Sequence, residues 1–127
     1  QRGPWATHGK SLRAIAHSPT QDLLATAGTD STIALWNTVT ATLTASLSVR
    51  NTIRALAFSP YGTILASAAR LAPRIGLATI IFWDVDTATE IGRMQQHTDQ
   101  ISDINFSPDG LMLASSAGDM TIRLFCV

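Results

Sequence analysis

The chain has 127 residues, 46% of them hydrophobic and 14% charged, a composition typical of one folded domain rather than a disordered segment. Nine basic and nine acidic side chains give zero formal net charge, so neither nucleic acid nor a membrane surface is expected as a partner. The one cysteine, Cys126, excludes an intramolecular disulfide, and the three histidines lack metal-ligand spacing, so we expect no metal and no cofactor. No membrane-spanning run or signal peptide is recognisable, and we expect an intracellular, cytoplasmic location.

The predicted elements form one unit that recurs three times along the chain. A Ser-Pro dipeptide marks each copy, with prolines at positions 19, 60 and 108. The distance from the second proline to the third is longer than that from the first to the second. The reason is that Trp83 follows Pro60 by 23 positions, whereas Trp36 follows Pro19 by 17, so copy two carries six extra residues. The insertion is predicted between Ala68 and Thr79.

The first predicted strand of each copy carries apolar residues in a step of three and then two. This pattern predicts one buried face, and the departure from strict alternation predicts a β-bulge. The matching positions are Leu12, Ile15 and His17 in copy one, Ile53, Leu56 and Phe58 in copy two, and Ile101, Ile104 and Phe106 in copy three.

The remaining elements of each copy follow in the same order. "SPYG" and "SPDG" predict tight turns in which glycine adopts a positive φ, and copy one has "SPTQD" there. Second strands read "LLATA", "ILASA" and "MLASS", and third strands read "TIALW", "TIIFW" and "TIRLF". Fourth strands are predicted at "TLTASL" and "TEIGRM". The sequence therefore predicts an all-β fold of four-stranded antiparallel sheets.

These motifs resemble the WD-repeat β-propeller family, from His8 to Val127. Only Trp83-Asp84 shows the final dipeptide of the family intact. The resemblance implies one partial propeller over 1–127, made of three blades and an incomplete ring. Blade one is expected at 7–47, blade two at 48–94 with its insertion at 69–78, and blade three at 95–127 without its last strand.

The resemblance also implies a structural hydrogen-bond network of histidine, hydroxyl, aspartate and tryptophan in each blade. The implied residues are His8, Thr26, Asp30 and Trp36 in copy one, Ser67 and Trp83 in copy two, and His97, Ser115 and Asp119 in copy three. Copy two has Val49 at the histidine position, and copy three has Phe125 at the tryptophan position.

Ser115, His97 and Asp119 have a second interpretation as a catalytic triad. We favour structural bracing and expect no enzyme, because equivalent residues recur between repeats and no Gly-x-Ser-x-Gly elbow is present. His17, at a phenylalanine position, is expected to be a packed core histidine. Cys126, beside the aromatic position of an apolar strand, is expected to be a buried and unreactive thiol.

The insertion is the candidate partner-binding segment, because an apolar loop edged with cations suits a protein surface. A tolerated surface insertion without function is the alternative, and the sequence leaves both open. The candidate residues are Arg70, Leu71, Arg74, Ile75 and Leu77, with Arg50, Lys10 and Asp99 on neighbouring loops.

Three blades are too few for a closed ring, which takes roughly four to eight. We favour a segment of a larger WD-repeat protein whose other blades, or the subunits of a larger complex, complete the platform. The alternative is a self-assembling oligomer of two or three chains with a ligand- or partner-binding face. In both cases the expected function is a non-catalytic scaffold for protein partners.

Overall fold

The computed structural model describes residues 11–29, 31–49, 52–69 and 78–127, and every regular element in these ranges is a β-strand. Among these residues, no helix is long and apolar enough to cross a membrane. The strands are β1 (Leu12–His17), β2 (Leu23–Gly28), β3 (Thr32–Asn37), β4 (Thr42–Ser48), β5 (Ile53–Phe58), β6 (Ile64–Ala69), β7 (Ala78–Asp84), β8 (Thr89–His97), β9 (Ile101–Phe106), β10 (Met112–Ala117) and β11 (Ile122–Cys126).

The strands form three antiparallel sheets that follow chain order: β1 to β4, β5 to β8, and β9 to β11. This confirms the predicted all-β fold of successive propeller blades. The predicted bulge is also confirmed, because the register shifts between Leu12 and Ala14 in β1 and between Ile53 and Ala55 in β5. The glycines of the two predicted turns, Gly62 and Gly110, both have φ of 75°.

Two boundaries differ from those expected from the sequence. His97 pairs with Ala78 as the last residue of β8, so the second sheet extends past the predicted end of blade two at 94. Ala69 and Ala78, placed in the insertion by the sequence, are the end residues of β6 and β7. Two strands stay paired for as long as their backbone groups find hydrogen-bond partners. The repeat spacing in the sequence does not show where that pairing ends.

The core lies between the sheets, in two layers. In the first layer, one face of the first sheet, with alanines on β1 and β2 and larger residues on β3 and β4, meets large residues of the second sheet, including Leu56, Leu65 and Trp83. In the second layer, the opposite face of the second sheet meets Ile104, Leu113 and Phe125 of the third. Successive residues of a strand point to opposite faces of its sheet, and the second sheet buries residues on both faces between the first and third sheets.

Several residues expected in the core are exposed. Leu12, Ile15 and His17 are exposed although their equivalents in β9, Ile101 and Ile104, are buried, because a preceding sheet covers β9 whereas no described sheet covers this face of β1. The prediction of a core histidine at position 17 is therefore wrong. Cys126 is likewise exposed, which corrects the expectation of a buried thiol.

Candidate interaction site and bracing network

A buried histidine connects the second sheet to the third. The His97 side chain is 1% exposed, its Nε2 lies 2.6 Å from Ser115 Oγ, and its Nδ1 lies 2.9 Å from Asp119 Oδ2. Because a carboxylate only accepts hydrogen bonds, we assign the ring proton to Nδ1, so that Nε2 accepts from the Ser115 hydroxyl. The structure thus brings together all three residues that the sequence implied for copy three.

The turn between β10 and β11 holds the Asp119 carboxylate in place. Oδ1 accepts from the Thr121 backbone N–H at 3.0 Å and from the Thr121 hydroxyl, and Oδ2 accepts from the Thr98 N–H at 3.1 Å. The Thr121 hydroxyl is the main cause that holds the pKa of Asp119 well below its usual range, partial burial opposes it, and the His97 ring lowers it further.

Acid is expected to weaken this network in a defined direction. Since the pKa of Asp119 is lower in the folded chain, the unfolded chain binds more protons at acidic pH. This contribution to stability is fully present at pH values above the pKa of the unfolded chain, about 4, and is lost as the pH falls below that value. Asp119→Asn should therefore reduce the loss of stability between pH 6 and pH 3, as measured by urea midpoints. Thr121→Val, which removes the main donor, should reduce that loss partly.

Other carboxylates also contribute to the loss of stability in acid, so the share of Asp119 is measured by comparing the variants with the wild-type chain. The Thr87 N–H lowers the pKa of Asp84, and the Ser107 hydroxyl lowers that of Asp109. Identical pH profiles for the wild-type chain and Asp119→Asn would contradict the role assigned to this carboxylate.

In the first two sheets, a tryptophan indole donates a hydrogen bond to a hydroxyl group at the repeat position that Ser115 occupies in the third sheet. Trp36 Nε1 donates to Thr26 Oγ1 at 2.8 Å, and Trp83 Nε1 donates to Ser67 Oγ at 2.9 Å. In the third sheet, Phe125 stands at the tryptophan position and has no N–H to donate. Ser115 bonds to the ring of His97 instead. His8 and Asp30 lie outside the described residues, so the complete network expected for copy one stays a prediction.

Sequence reasoning missed Thr121, the side chain that fixes the aspartate. A signal for it is present, because Asp119 and Asp30 are each followed two residues later by a threonine, Thr121 and Thr32. Such Asp-x-Thr spacing favours a turn in which the side chains bond to the local backbone and to each other.

The loops at one end of the sheets lie together where they are described. Gly118 N donates to Gln100 O at 2.9 Å, which joins the β10–β11 turn to the loop before β9, where Asp99 is exposed. In the first sheet, Thr29 N donates to Ser11 O at 3.1 Å in the same way.

The insertion begins at this same end of the second sheet, because Ala69, the last residue of β6, pairs with Ile53, the first residue of β5. The other candidate partner-binding residues lie outside the described residues and stay predictions. They are Lys10, Arg50, Arg70, Leu71, Arg74, Ile75 and Leu77.

Successive antiparallel sheets packed face to face define this chain as a set of β-propeller blades. The profile of the family described as "WD domain, G-beta repeat" (WD40) matches it three times, at residues 3–37, 38–84 and 88–126. The chain belongs to the WD40 family.

Comparison with curated proteins finds relatives in a plant and in a mammal. Protein FIZZY-RELATED 2 of Arabidopsis thaliana is 32% identical over 126 residues, covering 97% of this chain and 25% of the relative. Cell division cycle 20.6, cofactor of APC complex, from the same plant is 32% identical over 123 residues, covering 94% and 28%. Echinoderm microtubule-associated protein-like 2 of Mus musculus is 31% identical over 123 residues, covering 94% and 18%. The chain therefore spans between 18% and 28% of these relatives.

Proposed function

We propose that the chain is a non-catalytic protein-interaction scaffold that belongs to a larger propeller, with the loops at one end of the sheets as its docking face. The observation that carries this proposal is the grouping of loops at one end of sheets that pack against each other through their faces. Rigid sheets with variable loops at one end are a common arrangement for binding partners. The relative named Cell division cycle 20.6, cofactor of APC complex, supports a protein partner in general terms.

The environment of Ser115 favours bracing over catalysis. The side chain is 2% exposed and its hydroxyl points at the buried ring of His97. A nucleophile must reach a substrate atom, and the Ser115 side chain is almost completely buried and already bonded to His97. The arrangement supports a structural hydrogen bond between blades.

The insertion is the segment of this face that we propose for partner contact. Arg70→Ala, Arg74→Ala and Ile75→Ala, made together, should remove partner capture and leave the thermal melt unchanged, because they change loop chemistry and no described core residue. The measurement is quantitative mass spectrometry of proteins retained from a cell extract by the immobilised chain, with an empty resin as blank.

Tyr61→Ser is the matched control, because Tyr61 is an exposed apolar residue in the turn at the opposite end of the second sheet. Retained proteins that are lost with the triple variant and kept with Tyr61→Ser would support the proposal. Equal retention by the triple variant, or no retention above the blank by the wild-type chain, would count against it.

A further inference from the structure

The first sheet has an open strand edge on its outer side. β1, β5 and β9 lie side by side, and β4 and β8 are the strands at the opposite edges of their sheets. Half of the backbone N–H and C=O groups of such a strand point away from its sheet, and they find no strand partner in the described part of the chain. Neighbouring blades pack against the faces of a sheet, so this edge stays open however many blades a ring contains.

β8 carries the features that protect an exposed edge from pairing. Glu90 and Arg93 form an ion pair of 2.6 Å on its surface, and the register of its pairing with β7 shifts at two points. Charged side chains and bulges are common means by which proteins prevent two strand edges from joining. The second sheet therefore has a protected outer edge.

β4 lacks the charges that protect β8. Strand pairing places Leu43 at the repeat position of Glu90. It places Ser46 at that of Arg93. Residues 31–49, which include all of β3 and β4, contain no Asp, Glu, Lys, Arg or His. The outer edge of the first sheet is therefore uncharged.

The second half of β4 is also regular. Residues 45–48 pair with β3 one by one without a shift, and Val49 N donates to Ser31 O at 2.9 Å as the ladder continues. Ser46 and Ser48 are exposed on one face of this stretch. A regular, uncharged and accessible edge is a template for a further strand.

An outer strand is accessible even where another blade precedes it. The second sheet packs against the first, yet the side chains of Arg93 and Glu90 on β8 are 52% and 34% exposed. Leu43, at the equivalent of Glu90, is 52% exposed on β4. The exposure of β4 is therefore that of an outer strand, whatever lies beside the first sheet.

The chemistry of this edge selects its occupant. A charged strand laid along β4 would lose hydration and meet no counter-charge on residues 31–49. The occupant must be an uncharged, extended segment with an open edge of its own. Among the edge strands of the described sheets, β1, β5, β8, β9 and β11 each contain a charged residue, and only β4 contains none. Two copies of β4 satisfy each other through one two-fold contact.

We propose that β4 pairs antiparallel with β4 of a second copy of this chain, so that the first sheets of the two copies join into one continuous sheet. The register is centred on Leu47, the middle of the regular stretch, and it sets Ser46 of each copy opposite Ser48 of the other. The contact consists of backbone hydrogen bonds and of cross-strand pairs of hydroxyl side chains. It requires no further blade and excludes none.

The test is the mass of the purified chain in solution, by sedimentation velocity across a concentration range. The expected result is a species of twice 13.6 kDa that dissociates on dilution. Ser46→Lys with Ser48→Lys, and separately Ser46→Glu with Ser48→Glu, should each weaken dimerisation about tenfold, because like charges then face each other across the pair. An equimolar mixture of the two double variants should recover the dimer, because opposite charges then face each other.

Ile91→Lys is the matched control, because Ile91 is a 55% exposed apolar residue of the other outer strand and its substitution should leave the dimer unchanged. Long polar side chains fit at the substituted positions, since Arg93 and Gln95 occupy the equivalents on β8. Circular dichroism checks that each variant folds.

Three results would overturn the proposal. The first is a wild-type chain that stays monomeric. The second is self-association, of any size, that is indifferent to charge at positions 46 and 48, because it would then use another surface. The third is loss of the dimer in both double variants without recovery on mixing. Docking on the insertion is scored separately by partner capture, so either proposal can fail without the other.

Discussion

His97→Ala is expected to lower the free energy of unfolding by about 3 kcal/mol, which corresponds to a fall in Tm of roughly 10 °C. The ring is 1% exposed and bonds to both Ser115 and Asp119. Its removal leaves the Ser115 hydroxyl without this partner inside the protein and opens a cavity between the second and third sheets. The measurement is urea unfolding followed by tryptophan fluorescence, at one protein concentration for all variants.

Glu90→Ala is the control for losing a charged contact at the surface. Glu90 holds Arg93 through an ion pair of 2.6 Å, yet both side chains are largely solvated, so little change is expected. If His97 and Ser115 act as one unit, Ser115→Ala in the His97→Ala background should cost less than Ser115→Ala alone. A stable His97→Ala chain, or strict additivity of the two substitutions, would show that the network does not brace the blades.

The strand order, the turns and the bulge were predictable because they depend on local chemistry. Pro60 and Gly62 specify their turn through φ, and the three-then-two step of Ile53, Leu56 and Phe58 follows from the bulge itself. Each of these signals occurs within a few residues of sequence and recurs in another copy.

Burial was not predictable in the same way because it depends on a neighbouring sheet. Ile15 and Ile104 occupy the same repeat position, yet one is exposed and the other buried. Periodicity identifies which side chains share a face, and only packing decides whether that face is covered. The same reason accounts for the exposure of His17 and Cys126.

The candidate site was predictable in part. The implied trio of His97, Ser115 and Asp119 does lie together, since each residue occupies a fixed position of the repeat. Thr121 was missed because a threonine just before a strand is ordinary by propensity, and only its geometry reveals the bond to Asp119.

Gly62→Ala is expected to destabilise the chain by about 2 to 3 kcal/mol in total, partly through the contact between the first and second blades and partly through the backbone conformation of the turn. Gly62 has φ of 75°, and a Cβ at this position would lie 2.2 Å from the Thr20 hydroxyl oxygen. That hydroxyl donates to Tyr61 O at 3.0 Å, so the added methyl group must displace it and break a hydrogen bond between the blades. The left-handed backbone conformation adds a cost of about 1 to 2 kcal/mol for any L side chain.

Two further variants separate these causes. Gly92→Ala in β8 meets nothing within 4 Å and should be neutral or slightly stabilising, since alanine restricts the unfolded chain. Thr20→Ala combined with Gly62→Ala removes the clash, so the pair should cost less than the sum of the single variants by about 1 kcal/mol, which is the share of the lost hydrogen bond. Additive costs in chemical denaturation would mean that backbone conformation alone accounts for the glycine, and that the turns of adjacent blades are not coupled through Thr20.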